Sequence, residues 1–315
     1  MTSPPDAAPL LHDLDAIIFD VDGVLLDVSQ SIRQVNCLSI PAYLNRLPGW
    51  TAPDTLITAS EIERFKEAGG FNDDWDLTCA AILLYLFKAA RYRTGDAMLL
   101  HSLPPTIVEY TQTIAQMGGW LRNAERYLRE IASPDERTRL YADYDPLRIH
   151  RLFQELWAGD LCPRLYGYEP TFYPGPGKCR NDRPLVDISL IPTDKTLAIL
   201  TGRTQSEAEF ALELVGLSEH IPLTNRMTRT EGNQKPDPDG LRRLVADLNC
   251  RKAVYIGDAV DDLRTVLHYR QLPESAGRTI LSAQVLTGTG GVEAAALFTA
   301  ADLIAPDVNA VLRML

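Results

Sequence analysis

Two aspartates one residue apart, Asp20 and Asp22, close the apolar run Ala16-Ile17-Ile18-Phe19 and are followed by Gly23. Isoleucine and phenylalanine favour extended backbone, and a short apolar run bounded by turn residues reads as a buried strand. Such a strand delivers both carboxylates to the carboxyl edge of a sheet, where open α/β folds bind their ligands. Strict alternation would place Asp20 and Asp22 on one side, with Val21 pointing back into the protein. Taken alone, the pair is also compatible with an Asp-rich turn. Three later positions add partners: Thr201-Gly202-Arg203, Lys235-Pro236, and Gly257-Asp258-Ala259-Val260-Asp261-Asp262. Several carboxylates sharing one edge raise each other's pKa unless a cation is present. A hard divalent ion with oxygen ligands resolves this, and Mg²⁺ uses one or two carboxylates with waters and a substrate phosphate. Carboxylate nucleophiles that become acyl phosphates are a known chemistry.

The elements that must position these groups follow from periodicity. Thr196–Leu200, Ala253–Ile256, Thr279–Leu281 and Asp302–Ala305 read as strands, with a short strand also expected near Ile221–Leu223. Between them, Gln205–Val215, Asp239–Leu248, a segment ending near His268, and Asp307–Met314 read as helices. Strands alternating with helices argue for a parallel sheet. Residues 28–158 differ: Ala59–Lys66, Leu77–Arg91, Ile107–Met117, Ala124–Ile131 and Leu147–Trp157 carry helix-spaced apolar residues, and no clear strand is present. Between Gly159 and Pro192 the chain is rich in Pro, Gly and Tyr, which reads as a linker or hinge. The expected fold class is α/β, a Rossmann-like parallel sheet with an inserted all-α domain. Residues 1–28 plus 176–315 form the core, and 29–175 form the helical domain and hinge.

The bulk properties bound the function. The 315 residues are 45% hydrophobic and carry a net charge of −11, so a nucleic-acid partner would need a local basic patch. No Lys/Arg run is present; the closest group, Arg122 to Arg139, is interleaved with acids and reads as a solvated helix face. No nucleic-acid or membrane partner is expected, since the most apolar segment, Cys79–Phe87, is too short to cross a bilayer. Five scattered cysteines without metal-like spacing, and a start lacking a basic and apolar leader, point to a cytoplasmic protein with reduced thiols.

Asp20-Val21-Asp22-Gly23-Val24, Leu200-Thr201-Gly202-Arg203, Lys235-Pro236 and Gly257-Asp258-x-x-Asp261-Asp262 resemble, in order, the four motifs of the haloacid dehalogenase superfamily. The helical insertion between the first two resembles subfamily IA, with an α-helical cap of the C1 type. The stretch Phe65-Lys66-x-x-Gly69-Gly70-Phe71-Asn72-x-Asp74-Trp75 is similar to one in a small, poorly characterised clade of that subfamily. The resemblance implies Asp20 as nucleophile and Asp22 as general acid, then general base. It implies Thr201 as a phosphoryl hydrogen-bond donor and Lys235 as a neutralising cation. Asp20, the backbone carbonyl of Asp22, and Asp258 are implied to hold Mg²⁺, with Asp262 at the second acidic position anchoring Lys235 or a metal-bound water. Asp261 supports the site or faces solvent.

Gly202 and Arg203 are candidate substrate contacts, Arg203 alternatively forming a salt bridge at a helix start. Lys66 and Asn72 are candidate cap contacts, joined by Ser29, Ser31, Arg33, Asp74 and Trp75; the alternative is that Gly69-Gly70 simply ends a helix. Dehalogenases of the family lack an aspartate at the position of Asp22. The implied activity is a Mg²⁺-dependent phosphatase acting on a small phosphorylated metabolite. A phosphomutase on a sugar phosphate and a non-catalytic metabolite-binding protein are the alternatives. Oligomeric state is not legible.

Overall fold

The structure, a computed structural model, describes residues 11–71, 73–288 and 291–315. The chain divides into two compact units, one joining the stretch up to Val28 with Asp182–Leu315, the other spanning Ser29–Asn181.

In the first unit the strands, in chain order, are β1 (Ala16–Phe19), β2 (Leu26–Asp27), β3 (Arg183–Pro184), β4 (Thr196–Leu200), β5 (Arg226–Met227), β6 (Lys252–Gly257), β7 (Thr279–Val285) and β8 (Leu303–Ala305). Six of them form one sheet in the order β5-β4-β1-β6-β7-β8, and every pairing in it is parallel. β2 and β3 pair separately as a short antiparallel ladder. β1 is central, with β4 on one side and β6 on the other, so the chain switches direction of progression across the sheet at β1. Ligands of open parallel sheets bind at such a switch point, outside the carboxyl ends of the strands.

The alternation of side chains explains why each strand is apolar throughout. Ile17, Phe19, Leu197, Ile199, Val254 and Ile256 pack into one core layer, with Leu212 and Val308 among its partners. Ala16, Ile18, Ala198, Leu200, Ala253 and Tyr255 face the other layer, with Leu241, Leu244 and Val266. A parallel sheet covered on both faces has no solvent side to alternate toward. The short strand expected near Ile221–Leu223 lies instead at Arg226–Met227, after a 3₁₀ turn over Leu223–Asn225. Ile221 is fully buried as a contact of the core, which gives it strand-like apolarity without a strand.

The second unit is helical, and no strand is assigned among its described residues. Its helices include Ile32–Leu44, Ala59–Ala68, Asp74–Tyr92, Ile107–Gln116, Leu121–Ile131, Pro134–Ala142 and Pro146–Ala158. Asp74–Tyr92 is the central one, buried without a break from Leu77 to Lys88. Ile32–Leu44 was not expected, because Pro41 lies inside it and its buried face carries Asn36 and Ser39. Asn36 is accommodated by pairing: its Nδ2 donates to Asp74 Oδ1 at 2.6 Å and its Oδ1 accepts from Thr78 Oγ1 at 3.0 Å.

The Pro/Gly-rich stretch after Gly159 is held in place rather than slack. Glu155 is fully buried, and its carboxylate accepts the backbone N–H groups of Thr171, Phe172 and Tyr173 as well as Arg151 Nε. Burial alone would raise the Glu155 pKa, but these donors hold it below the ordinary carboxylate value. One carboxylate thus orders three consecutive residues of a segment that composition marks as a linker.

Removing that carboxylate leaves three backbone donors without their acceptor. Glu155→Ala is expected to lower the unfolding free energy by about 3 kcal/mol, read by urea denaturation at neutral pH. A change below about 1 kcal/mol would show that this contact does not order the stretch.

Candidate active site

β1 ends at Phe19, and the Asp20 N–H still continues the ladder by donating to Ile256 O at 2.9 Å. The chain then turns around Val21, whose carbonyl accepts the N–H groups of Leu25 and Leu26 at 2.9 and 3.0 Å. Val21 is fully buried in the core layer, as alternation requires, while the two aspartates diverge. Asp20 is 6% exposed. The Asp22 side chain is 31% exposed.

Asp20 meets Lys235. Lys235 Nζ lies 2.9 Å from Asp20 Oδ2, 2.6 Å from Asp262 Oδ1 and 3.0 Å from the Tyr255 hydroxyl, so three donors meet three acceptors. Asp262 is fully buried and fully occupied: Oδ1 also accepts from Tyr255 at 2.7 Å, and Oδ2 accepts the N–H groups of Asp258 and Ala259 at 3.1 and 3.0 Å. It therefore ties the lysine to the loop that opens helix Val260–Tyr269. Burial pushes the Asp20 carboxyl up to about 7, against the pull of Lys235 and with the repulsion of Asp262 and Asp22 adding to it. Burial alone would lower the Lys235 pKa, but Asp20 and Asp262 hold it above the ordinary lysine value.

Asp22 meets Arg203. Arg203 Nε and Nη2 lie 3.0 and 2.6 Å from Asp22 Oδ1, and Nη2 also reaches Asp182 Oδ2 at 3.3 Å. Arg203 thus forms a salt bridge just before helix Gln205–Val215. Thr201 follows β4 and is fully buried. Its N–H donates to Met227 O at 3.0 Å and its Oγ1 accepts the Arg203 N–H at 3.3 Å, which leaves the hydroxyl proton available to another acceptor. Gly202 lies between them on the same loop.

Asp258 is set by close packing. A Cβ on Gly23 would stand 2.1 Å from Asp258 Oδ2 and one on Gly288 would stand 1.7 Å away, so only glycines admit the carboxylate there. Gly23 also has φ of +73°, a region side chains rarely adopt. Carboxylate oxygens of Asp20, Asp258 and Asp262 fall within 4.8 Å of one another. Three acids around one lysine leave an excess of buried negative charge, and the donors are all oxygen, so the set fits a hard divalent cation. With both Asp262 oxygens already engaged, Asp20 and Asp258 are the carboxylates best placed to hold it. Asp261 is mostly buried and lies 3.5 Å from Arg264.

The candidate contacts of the helical unit have partners within it. Lys66 Nζ lies 3.1 Å from Asp74 Oδ1, tying the end of helix Ala59–Ala68 to the start of Asp74–Tyr92. The Trp75 and His150 rings pack at a tilt of 39°, with centroids 3.7 Å apart. Gly70 has φ of +74° and a Cβ there would meet the Trp120 ring at 2.6 Å, so this glycine serves a packed joint. Asn72 lies outside the described residues. Ser31 is fully buried, while Ser29, Arg33, Cys37 and Lys178 line a cavity of about 580 Å³ within the unit.

Three residues that sequence reasoning did not single out belong to the site: Tyr255, Asp182, and Asn233, whose Nδ2 donates to Thr201 O at 2.9 Å. Tyr255 carries no signal in a β-favouring run, and Asp182 lies in an irregular segment. Asn233, two residues before Lys235, was the most accessible to inference.

A sequence profile of the family described as haloacid dehalogenase-like hydrolase matches residues 189–266, which include the Thr201, Lys235 and Asp258 loops. No curated protein gives a significant sequence match. Among solved structures, a phosphatase, Tt82, from Thermococcus thioreducens is similar at 23% identity and a TM-score of 0.57, covering 95% of this chain and 97% of that one. A structural-genomics target is similar at 17% identity and a TM-score of 0.58, with the same coverages of 95% and 97%. At these identities the likeness is one of fold.

Tyr255→Phe removes the hydroxyl shared by Lys235 and Asp262 while leaving the ring in the core. The expected cost is about 1–3 kcal/mol of stability, with the circular dichroism spectrum unchanged. Stability equal to wild type in urea denaturation would show that the hydroxyl is not part of the charge network.

Proposed function

We propose that this chain, a member of the haloacid dehalogenase-like hydrolases, is a Mg²⁺-dependent phosphatase that cleaves a small phosphorylated metabolite through an aspartyl-phosphate on Asp20. The observation that carries the reading is that two aspartates two residues apart occupy different environments. Asp20 is buried against an ammonium, and Asp22 is part-exposed against a guanidinium. Two carboxylates held apart in this way can take two different roles. The name of the similar phosphatase Tt82 is in keeping with the reading.

In the first half-reaction an Asp20 oxygen attacks phosphorus and the bond to the leaving oxygen breaks, its electron pair staying with that oxygen. Asp22 supplies the proton that the leaving alkoxide takes. Lys235, already within 2.9 Å of Asp20, offsets the charge gathered between nucleophile and phosphoryl group. The free hydroxyl proton of Thr201 is available to a phosphoryl oxygen. In the second half-reaction Asp22 takes a proton from water as the water oxygen attacks phosphorus, and Asp20 is released. Mg²⁺, held by Asp20 and Asp258, would supply further neutralisation of the phosphoryl oxygens.

Nearly complete burial of Asp20, Lys235 and Thr201 favours a small substrate. Only a projecting phosphate on a small body reaches groups so recessed. The helical unit is read as the part that chooses among such substrates, and the large apolar share of its central helix as what keeps it folded.

With Mg²⁺, the protein is expected to release p-nitrophenol from p-nitrophenyl phosphate, and chelation by EDTA to abolish the activity reversibly. Asp20→Asn is expected to lower kcat by about 10³-fold or more. Turnover that survives in Asp20→Asn would contradict the proposed nucleophile. A screen over phosphorylated metabolites with Mg²⁺ then identifies the substrate.

A further inference from the structure

The roles above use Asp22 but not the residues that hold it. Asp22 stands beyond the end of β1 on a turn, with its side chain 31% exposed. A short acidic side chain in that position samples several rotamers unless something fixes it. Arg203 supplies the fixation: its Nε reaches both carboxylate oxygens, at 3.0 and 3.3 Å, and its Nη2 reaches Oδ1 at 2.6 Å. Planar fork contacts of this kind fix orientation as well as distance.

The guanidinium is itself held. Arg203 is 4% exposed, and the Nη2 that meets Asp22 also lies 3.3 Å from Asp182 Oδ2, whose side chain is fully buried. The Arg203 backbone is pinned at both ends, its N–H donating to Thr201 Oγ1 at 3.3 Å and its carbonyl accepting the Arg229 N–H at 2.9 Å. Asp22–Arg203–Asp182 thus repeats the plan of Asp20–Lys235–Asp262: a reacting aspartate and a fully buried aspartate that share one buried cation. A buried cation between two carboxylates is weak as a source of stability, since desolvation offsets most of the attraction. Its evident effect is geometric. Contact of Arg203 with a phosphate through Nε or Nη2 would require release of Asp22.

We propose that Arg203, anchored by Asp182, is a positioning residue that sets the Asp22 carboxylate for proton transfer to the leaving oxygen and from the hydrolytic water. The inference rests on the phosphatase reading. It assigns to Arg203 a role through Asp22, in place of a direct substrate contact.

The test is pre-steady-state kinetics with p-nitrophenyl phosphate and Mg²⁺ on the full chain. p-Nitrophenolate leaves without needing a proton, whereas hydrolysis of the phosphoenzyme needs Asp22 as base. In Arg203→Met the p-nitrophenolate burst is expected to keep its rate within about 3-fold, while steady-state turnover falls about 10²-fold. With β-glycerophosphate, whose alkoxide needs the proton, the first step falls as well. Arg203→Lys and Asp182→Asn are expected to show the same split at smaller size, and they stand in if Arg203→Met does not fold. A rise in KM alone, or equal slowing of burst and turnover, overturns the proposal in favour of a phosphate contact or a general structural role. Wild type that does not turn over p-nitrophenyl phosphate, or turnover that persists in Asp20→Asn, overturns the phosphatase reading instead. A crystal structure of Arg203→Met decides the positioning claim independently of activity: the Asp22 carboxylate leaves its place, or the claim is wrong.

Discussion

Balancing buried charge at one edge of the parallel sheet is the constraint on which the rest of the first unit depends. Asp20, Asp182, Asp258 and Asp262 are nearly or fully buried there, Asp22 is part-buried, and Lys235 and Arg203 are the buried cations that face them. An ionised carboxylate without a partner in such surroundings is costly enough that it takes up a proton instead. Each cation therefore serves two aspartates, and helix Val260–Tyr269 begins where Asp262 can satisfy two backbone amides as well as the lysine. The remaining negative charge, centred on Asp20 and Asp258, is what a divalent cation would neutralise.

The sheet makes this balance possible by bringing distant segments to one place. β1, β4 and β6 are adjacent although Phe19, Leu200 and Gly257 are far apart in the chain. Their loops open at the same edge because all the pairings are parallel. Two apolar layers fix the strands, so the loops carry polar groups on a rigid base. Close packing then does the fine placement, as where Gly23 and Gly288 leave room for Asp258. Rigid support of this kind is what lets charge be preorganised around a reacting phosphoryl group.

Much of this was legible in the sequence because it is punctuated locally. Asp20, Thr201, Lys235 and Asp258 stand at or just beyond the ends of apolar runs, and the parallel α/β sheet follows from the alternation of those runs with helices. What was not legible depends on contacts between distant residues. Tyr255 is a strand residue by type, and only the fold brings its hydroxyl to Lys235. Asp182 gains its place from Arg203 across an irregular segment. Helix Ile32–Leu44 was hidden by Pro41 and by buried Asn36, whose partners, Asp74 and Thr78, lie some forty positions away. The Pro- and Gly-rich stretch looked slack because Glu155, which orders it, lies in the preceding helix. The pairing of Lys66 with Asp74 joins residues of two successive helices and is likewise not marked in the sequence.

The central claim is that Asp20 carries the phosphoryl group. Asp22→Asn should slow release of that group, so this variant is the one in which to trap it. Brief incubation with p-nitrophenyl phosphate and Mg²⁺, acid quench, borohydride reduction and peptide mapping reads the outcome directly. The account predicts homoserine in place of aspartate at position 20, formed only when substrate is present. Reduction at a different aspartate, or an unmodified Asp20 peptide from enzyme that has released p-nitrophenol, would contradict it.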